Sequence, residues 1–596
     1  MRRAHFLRAN HGAKLPDLLI AIDTETDAVP IGPGAVDAVL RFGWLAISAR
    51  HRGLRWTPPR WHRFTTPDEA WDVIEAAIPD GWTARLVAHN AGFDARVLHM
   101  WSALPARGWT CRGAVIEDPP TIVRWRKGRR GIVLLDSLNW YRAKLADVGV
   151  ALGLPKLDHD LAWGDRERDD AYCRRDVEIV LAAVQGLIRR VAEWDLGNLA
   201  TTISGQAYNA WRHRHLSVPV LIDDHPRALA LARQAYHGGR TEAWQLGRIA
   251  APVVVFDVTS MYPAIMLTTP MPTVLRGFYN RVSVTNLTTL LERSCVIADV
   301  TLATESADYP LVHDGRLVFP VGRFRTALCT AELTHALRAG HVRQVHAAAV
   351  YDRALIFTSY IAEWHTRRQA ALAAGDAADA DFCKRMMNHL YGKLGQSGRV
   401  FETVGTTDAD EVRAWAEWDA DTGTLSRYRA FGGLVSRQSG EVEARESHPA
   451  IAAHVTSAAR MRLLSLLDRA GRANVVYMDT DSLFVLPAGV GALLTAVRPS
   501  RPGALKLVEV VSALVIHGAK DYAKDDHRVI KGIRANATEI GPATFEQDVF
   551  QGLKGALEDG DLDRMLITRG RKVLSRDYRK GTVGPTGRVS PYRLGV

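Results

Sequence analysis

Short apolar runs and amphipathic stretches alternate through the first 190 residues. Leu18 to Ile22, Arg85 to Ala88 and Ile132 to Leu135 read as buried strands, and Ala171 to Val191 has helical spacing, so this part predicts an α/β unit. From about Asp195 to His237 the pattern is mixed, and Pro252 to Phe256 then begins a clear strand. Residues 355–395 hold two helical segments separated by Ala373 to Ala380, the pattern of an antiparallel helical hairpin. Residues 396–450 are polar and lack helical periodicity, which predicts an inserted β-rich excursion. There is no internal repeat and no extended low-complexity segment.

Composition narrows the class. A chain of 596 residues is too long for one core and predicts three or four domains. With 47% apolar and 24% charged residues it is neither disordered nor a membrane bundle. The basic start Met1 to Arg8 leads only to the run Leu18 to Ile22, and no run reaches the ~18 apolar residues of a spanning helix. The expectation is a cytoplasmic protein that contacts no membrane. Five scattered cysteines without a CxxC argue against disulfides and structural zinc. A net charge of +11 favours a polyanionic partner. From Arg564 onward nine Lys/Arg face only Asp577, a candidate phosphate-facing surface. The cluster Arg124 to Arg130 reads as a basic hairpin tip, and equally as a solvated turn.

Carboxylates stand at the ends of the apolar runs. In Leu18 to Thr26 the strand alternation puts Asp23 and Glu25 on one face. Leu86 to Asp94 brings Asn90 and Asp94 to the end of a second buried run, and Tyr172 and Asp176 share a helix face at i and i+4. Gathering four carboxylates is unfavourable without cations, and hard oxygen ligands suit Mg²⁺ or Mn²⁺. At these residues the chain resembles the DEDDy 3′–5′ exonuclease domain of proofreading polymerases. The resemblance implies metal ligation by Asp23, Glu25, Asp94 and Asp176, and a Tyr172 that orients the attacking water. It also implies that Thr26, Asn90, Phe93, Ser137 and Leu138 hold a single-stranded 3′ end.

A second constellation follows. The strand Val253 to Phe256 delivers Asp257, and the runs flanking Asp479-Thr-Asp481 suggest a hairpin with acids at its tip. Such acids suit two ions about 3.5–4 Å apart, although an acidic turn has the same pattern. In Phe382 to Gly392, Lys384, Asn388 and Tyr391 share one helix face, where a core stripe would be apolar. Arg367 and Arg368, on the preceding helical segment, either add charge near the same site or are solvated.

Together these blocks resemble motifs A, B and C of family B DNA polymerases, as DxxSMYP, KxxxNxxYG and YxDTDS. Tyr236-His-Gly-Gly239 and Lys520-Asp-Tyr522 agree in order. The resemblance implies Asp257, Asp479 and Asp481 as catalytic metal ligands, with two ions per active site, and Tyr262 as the steric gate against a ribose 2′-OH. Lys384, with Arg368, would contact the triphosphate, and Asn388 and Tyr391 the nascent pair. Tyr236, Gly238, Gly239, Thr480, Lys520 and Tyr522 would contact DNA. The implied partners are primer-template DNA and dNTPs, with the chain as a monomer.

The implied fold is an α/β and α+β multidomain chain: an RNase H-like exonuclease domain and a right-hand polymerase of palm, fingers and thumb. The expected divisions are exonuclease 1–190, linker and palm with a first insertion 191–354, and fingers hairpin 355–395. A β-rich insertion 396–450, palm 451–515 and a basic thumb segment 516–596 follow. The early position of Asp23 implies a minimal polymerase. The two insertions resemble those of the compact protein-primed phage and plasmid enzymes, which adds a terminal protein as a candidate partner. The alternatives are a compact polymerase without terminal-protein priming, and an exonuclease with a degenerate polymerase region.

Overall fold

The computed structural model describes residues 3–595 except 52, 118, 161, 251, 409 and 422, and of residues 399, 400 and 439–442 the backbone alone. Met1 and Arg2 of the basic start lie outside the described residues.

A ten-stranded sheet is built on the antiparallel pair Leu18–Gly32 and Ala35–Ala49. Leu18–Gly32 runs parallel to Thr83–Ala88, which in turn runs parallel to Arg130–Asp136. Both faces are buried, as parallel strands require. Leu19 and Ala21 meet Val177, Val180, Val184 and Leu187 of the helix Arg166–Glu193. Ile20 and Ile22, one residue out of phase, pack with Trp71, Trp101 and Trp109. This double burial makes the strands read as continuous apolar runs. The hairpin of Thr121–Lys127 and Arg130–Asp136 turns at Gly128 and Arg129, and its charges fold back: Lys127 pairs with Glu75 at 2.8 Å and Arg129 with Asp80 at 3.3 Å.

The sheet extends beyond residue 190. Strands Leu566–Val573, Thr544–Phe550 and Thr538–Gly541 add to it, with Ala35, Val36 and Asp37 paired to Thr568, Ile567 and Leu566. Arg564 donates to Asp37 at 2.9 Å. The Asp563 carboxylate accepts the N–H groups of Trp101 and Ser102 at the start of the helix Met100–Ala106, at 2.9 and 2.8 Å. Part of the basic C-terminal segment, expected from the resemblance to lie in the thumb or C-terminal region, therefore continues the N-terminal sheet. No local periodicity encodes such pairing of an edge strand.

The central sheet has the order Thr241–Ala243, Val475–Asp479, Ser482–Val485, Val253–Val258, Leu505–Val511. Leu463, Leu464 and Leu467 of the helix Pro449–Ala470 cover Phe256, Met478 and Leu483 on one face. The mixed region before it holds the helices Ile203–Arg214 and Pro226–Ala235. Residues 271–354 form a further sheet with its own core around Leu287, Val300, Phe324 and Leu333. Its last strand is Arg593–Leu594, which runs parallel to Val321–Gly322.

The helices Thr358–Ala373 and Ala377–Leu394 form the hairpin, with Asp376 capping the second through the Asp379 N–H. The hairpin leans on the helix Arg166–Glu193: Arg190 pairs with Asp379, and Trp194 lies 5.9 Å from Trp364 and 5.8 Å from Phe382. The excursion is a four-stranded sheet, Ser397–Thr406, Leu434–Glu443, Thr424–Phe431, Arg413–Asp419. It does not stand free. Phe431 inserts into the core beneath the N-terminal sheet, 5.3 Å from Trp101, and Gly432 passes so close that a Cβ would meet that of Cys111 at 2.8 Å. All five cysteines are free and buried, and no helix among the described residues is long and apolar enough to cross a membrane.

Candidate active sites

The first centre lies where Leu18–Gly32 meets the helix Arg166–Glu193. Asp23 and Glu25 project together from the strand, and Asp176, buried on the helix, is the largest charged neighbour of both. Burial, then the Asp176 charge, holds Glu25 up at about 8, and burial followed by Asp176, Asp94 and Glu25 pushes Asp23 well above the usual carboxylate range. Asp94 is pushed to about 7, chiefly by burial, and accepts a hydrogen bond from the Thr24 hydroxyl at 2.8 Å. It thus borders the other acids while turned toward Thr24.

Tyr172 lies half-buried one helical turn before Asp176. The Lys156 ammonium sits 4.3 Å from its ring centre and pairs with the Asp176 carboxylate. Asn90 adopts a left-handed conformation, φ 72°, at the start of the helix Ala91–Val97. Its N–H donates to Asp136 at 3.0 Å, and the same carboxylate accepts from the Leu138 N–H at 2.8 Å. Ser137 shares a 2.7 Å hydrogen bond with His89. Thr26 is half-exposed on the strand beyond Glu25, and Phe93 packs with Val97 and Met565.

The second centre lies on the central sheet. Asp257 pairs in register with Ser482, and the turn Thr480-Asp481 joins Val475–Asp479 to Ser482–Val485. The Val258 N–H donates to the Asp481 carbonyl at 2.8 Å, fixing the tip against the strand Val253–Val258. Burial, then Asp257 and Asp479, raises Asp481 to about 6. Asp479 accepts from the Thr241 and Thr480 hydroxyls, each at 3.0 Å, and Lys520 lies 3.4 Å away. Tyr262 packs against Tyr391 with ring centres 4.9 Å apart and the rings tilted by 35°. Gly239 has no room for a side chain: a Cβ would meet Thr480 Cγ2 at 2.8 Å and Tyr262 Oη at 3.1 Å. A Cβ on Gly395 would likewise meet the Tyr236 ring at 2.7 Å, whereas Gly238 faces open space. Tyr522 packs 5.3 Å from Tyr477, whose hydroxyl accepts the Lys520 N–H.

On the hairpin, Lys384 is exposed and Asn388 half-buried. Arg367 is tied into the fold by Glu363, at 2.9 Å, and by Trp194, 5.0 Å away. Arg368 has a buried Nε with no hydrogen-bond partner among the described residues.

Several residues at these centres are not apparent in the sequence. Lys156 and Asp136 lie outside the motif blocks. Lys506, 3.2 Å from Asp257, and Thr241 reach the acids of the second centre by strand pairing with Asp257 and Asp479.

The acid set of the first centre fits a divalent cation. Asp176 Oδ1 is buried without a hydrogen-bond partner, and the carboxyls beside it resist losing their protons without added positive charge.

The two centres sit on separate sheets of one chain, each with carboxylates gathered at strand and helix ends. The family model described as DNA polymerase type B, organellar and viral, matches residues 163–428. The DNA-directed DNA polymerase of Enterobacteria phage PRD1 is 26% identical over 292 residues, 47% of this chain and 48% of that one, so the match spans about half of the relative's length. Among solved structures, Phi29 DNA polymerase complexed with single-stranded DNA superposes with a TM-score of 0.69 at 14% identity, covering 94% of this chain and 100% of that one. Phi29 DNA polymerase complexed with primer-template DNA and incoming nucleotide substrates gives 0.67 at the same identity and coverage.

Proposed function

We propose that the protein is a DNA-templated DNA polymerase that transfers nucleotides from dNTPs to a primer 3′-OH and proofreads with its own 3′–5′ exonuclease. The observation that carries this reading is the pairing of two acid sets on one chain. Asp257, Asp479 and Asp481 lie near Tyr262, and Asp23, Glu25, Asp94 and Asp176 lie beside Tyr172. Two Mg²⁺ or Mn²⁺ ions at each centre would stabilise the attacking and leaving oxygens of an in-line displacement.

The chain's own groups do the rest. Tyr262, fixed against Tyr391, closes the space beside the sugar C2′. Lys384, supported by Arg368, binds triphosphate oxygens, while Asn388 and Tyr391 bound the nascent pair. Tyr236, Gly238, Gly239 and Thr480 follow the template, and Lys520 and Tyr522 hold the primer end. In the exonuclease, Lys156 orients Asp176, Tyr172 positions the attacking water, and Thr26, Asn90, Phe93, Ser137 and Leu138 hold the frayed 3′ strand. The test is primer extension and 3′-end degradation by the purified protein with Mg²⁺. Absence of extension by folded protein would refute the polymerase reading.

A second reading concerns the primer. It takes the sheets at 271–354 and 397–443 as the two insertions of the protein-primed enzymes, with a terminal protein supplying the priming hydroxyl. Offering an oligonucleotide or a candidate terminal protein separates the two modes.

A further inference from the structure

A cleft of about 730 Å³ opens at the end of the strand Val475–Asp479 that lies away from Asp479, over Val475, Val476 and Leu486. Asp479 is three to four strand residues off, roughly 10 Å. One wall is the C-terminal segment. The Val589 N–H donates to the Trp244 carbonyl at 2.9 Å, the Leu246 N–H donates to the Gly587 carbonyl at 2.8 Å, and Arg588 bridges to Gln245. The turn needs glycine, since Gly587 has φ 78° and a Cβ there would meet the Leu246 oxygen at 2.4 Å. This pairing brings Arg588 to the same cleft as Arg248.

Four arginines line the cleft against one carboxylate, Glu305, which is taken by Arg593. Arg472 is held by Asp308 and Asp468, each at 2.7 Å. Arg248 and Arg588 are exposed, and neither side chain has an ion pair or hydrogen bond among the described residues. Arg240 is an independent sign. It is 1% exposed, with Cζ 4.1 Å from the Phe319 ring centre and 5.6 Å from that of Trp244. Its Nε donates to Glu242 at 2.6 Å, while its buried Nη1 has no hydrogen-bond partner. A buried cationic donor in that state is unfavourable until an acceptor reaches it.

The chemistry selects the ligand. Uncommitted guanidinium groups match phosphate oxygens in a planar, two-point contact. Trp244 and the two valines offer an apolar wall with an aromatic face, which suits a planar base. The volume is that of a small-molecule pocket, whereas a duplex is followed by cations strung along a surface. We propose that this cleft binds a free nucleoside polyphosphate, its phosphates on Arg248 and Arg588 and its base against Trp244, at a site separate from both carboxylate centres. The bound ligand joins the C-terminal segment to the central sheet. The Arg240 carbonyl accepts the Thr480 N–H at 2.7 Å, so the occupied cleft also braces the turn that carries Asp481.

The test is titration calorimetry of the full chain with ADP as the probe, in EDTA so that no metal-held nucleotide contributes. The wild type should bind one ADP per chain and melt at a higher temperature with it. Arg248→Ala with Arg588→Ala, and the corresponding pair of Glu substitutions, each checked for folding by circular dichroism, should weaken ADP about tenfold or more. Asp481→Ala should keep the wild-type affinity. A wild type that does not bind, or folded double variants that bind as tightly as the wild type, overturns the proposal. Loss of binding in Asp481→Ala would place the ADP at the carboxylates instead and overturn it as well. Inorganic tripolyphosphate should bind more weakly than ADP, and equal affinity would refute the base contact with Trp244. Saturating primer-template should leave ADP affinity unchanged, whereas displacement would give the cleft to a DNA strand and refute the free nucleotide.

Discussion

Lys506 and Asp257 face each other across adjacent strands of the central sheet, with the ammonium 3.2 Å from the carboxylate. The same relation recurs where Lys520 meets Asp479 and Lys156 meets Asp176, so a lysine attends an acid at each proposed metal centre. A fixed ammonium competes with a divalent cation for one carboxylate. Lys506→Met should therefore lower the half-saturating Mg²⁺ for extension several-fold and tighten Mn²⁺ binding measured by electron paramagnetic resonance. A raised KM for dNTP with unchanged metal dependence would place Lys506 on the triphosphate instead.

The two acid sets lie on separate sheets, so their losses should separate. Asp257→Ala or Asp481→Ala should reduce dNTP incorporation to background and leave single-stranded 3′-end degradation intact. Asp23→Ala with Glu25→Ala should do the reverse. Primer extension and exonuclease assays on the same preparations read both activities, and joint loss in folded protein would contradict the two-centre reading.

Sugar selection should depend on Tyr262 and on what holds it. Shrinking Tyr262 to Val opens space beside C2′ and should raise rNTP incorporation relative to dNTP by about tenfold or more. Gly239→Ala places a methyl 3.1 Å from Tyr262 Oη and 2.8 Å from Thr480 Cγ2, so it should disturb both the gate and the motif C turn. Its expected signature in steady-state kinetics is a lower kcat together with altered rNTP:dNTP selection.

Without divalent cations, the stability of the N-terminal sheet and its helices should fall as pH rises. Glu25 is raised from its usual 4.5 to about 8, so the folded state holds a proton that the unfolded chain has released. The resulting loss begins above about pH 4.5 and is complete above about pH 8. Melting curves should show a declining exonuclease transition across this window, and Mg²⁺ should restore it most at the alkaline end. Glu25→Gln should flatten the slope.

The excursion should prove divisible. Phe431→Ala opens a cavity beside Trp101 and should destabilise the exonuclease unit by about 3 kcal/mol in denaturant unfolding. Replacing residues 416–427 with a short Gly/Ser turn removes the exposed Trp418 and Leu425 while leaving Trp415 and Tyr428, which stack at 5.1 Å, and the docked Phe431. That variant should fill short gaps normally and yield shorter products on a singly primed circle under single-binding conditions. Equal product lengths would make the tip a bystander.

What the sequence determined by itself is what lies close along the chain. Asp23 with Glu25, Tyr172 with Asp176, Asp479-Thr-Asp481, and the face of Lys384, Asn388 and Tyr391 are legible because strand and helix periods alone decide which of these side chains project together. The helical hairpin and the β-rich character of residues 396–450 were legible for the same reason. Only the tertiary structure decided what meets across the chain. Lys506 reaches Asp257 through strand register, and Lys156 reaches Asp176 from a loop without periodicity. Leu566 to Thr568 completes an edge of the N-terminal sheet, and Phe431 is buried among tryptophans more than 300 positions away. Such contacts depend on register and edge pairing, where a shift of one residue would turn each side chain to the opposite face, and no local pattern of apolar and polar residues specifies that choice.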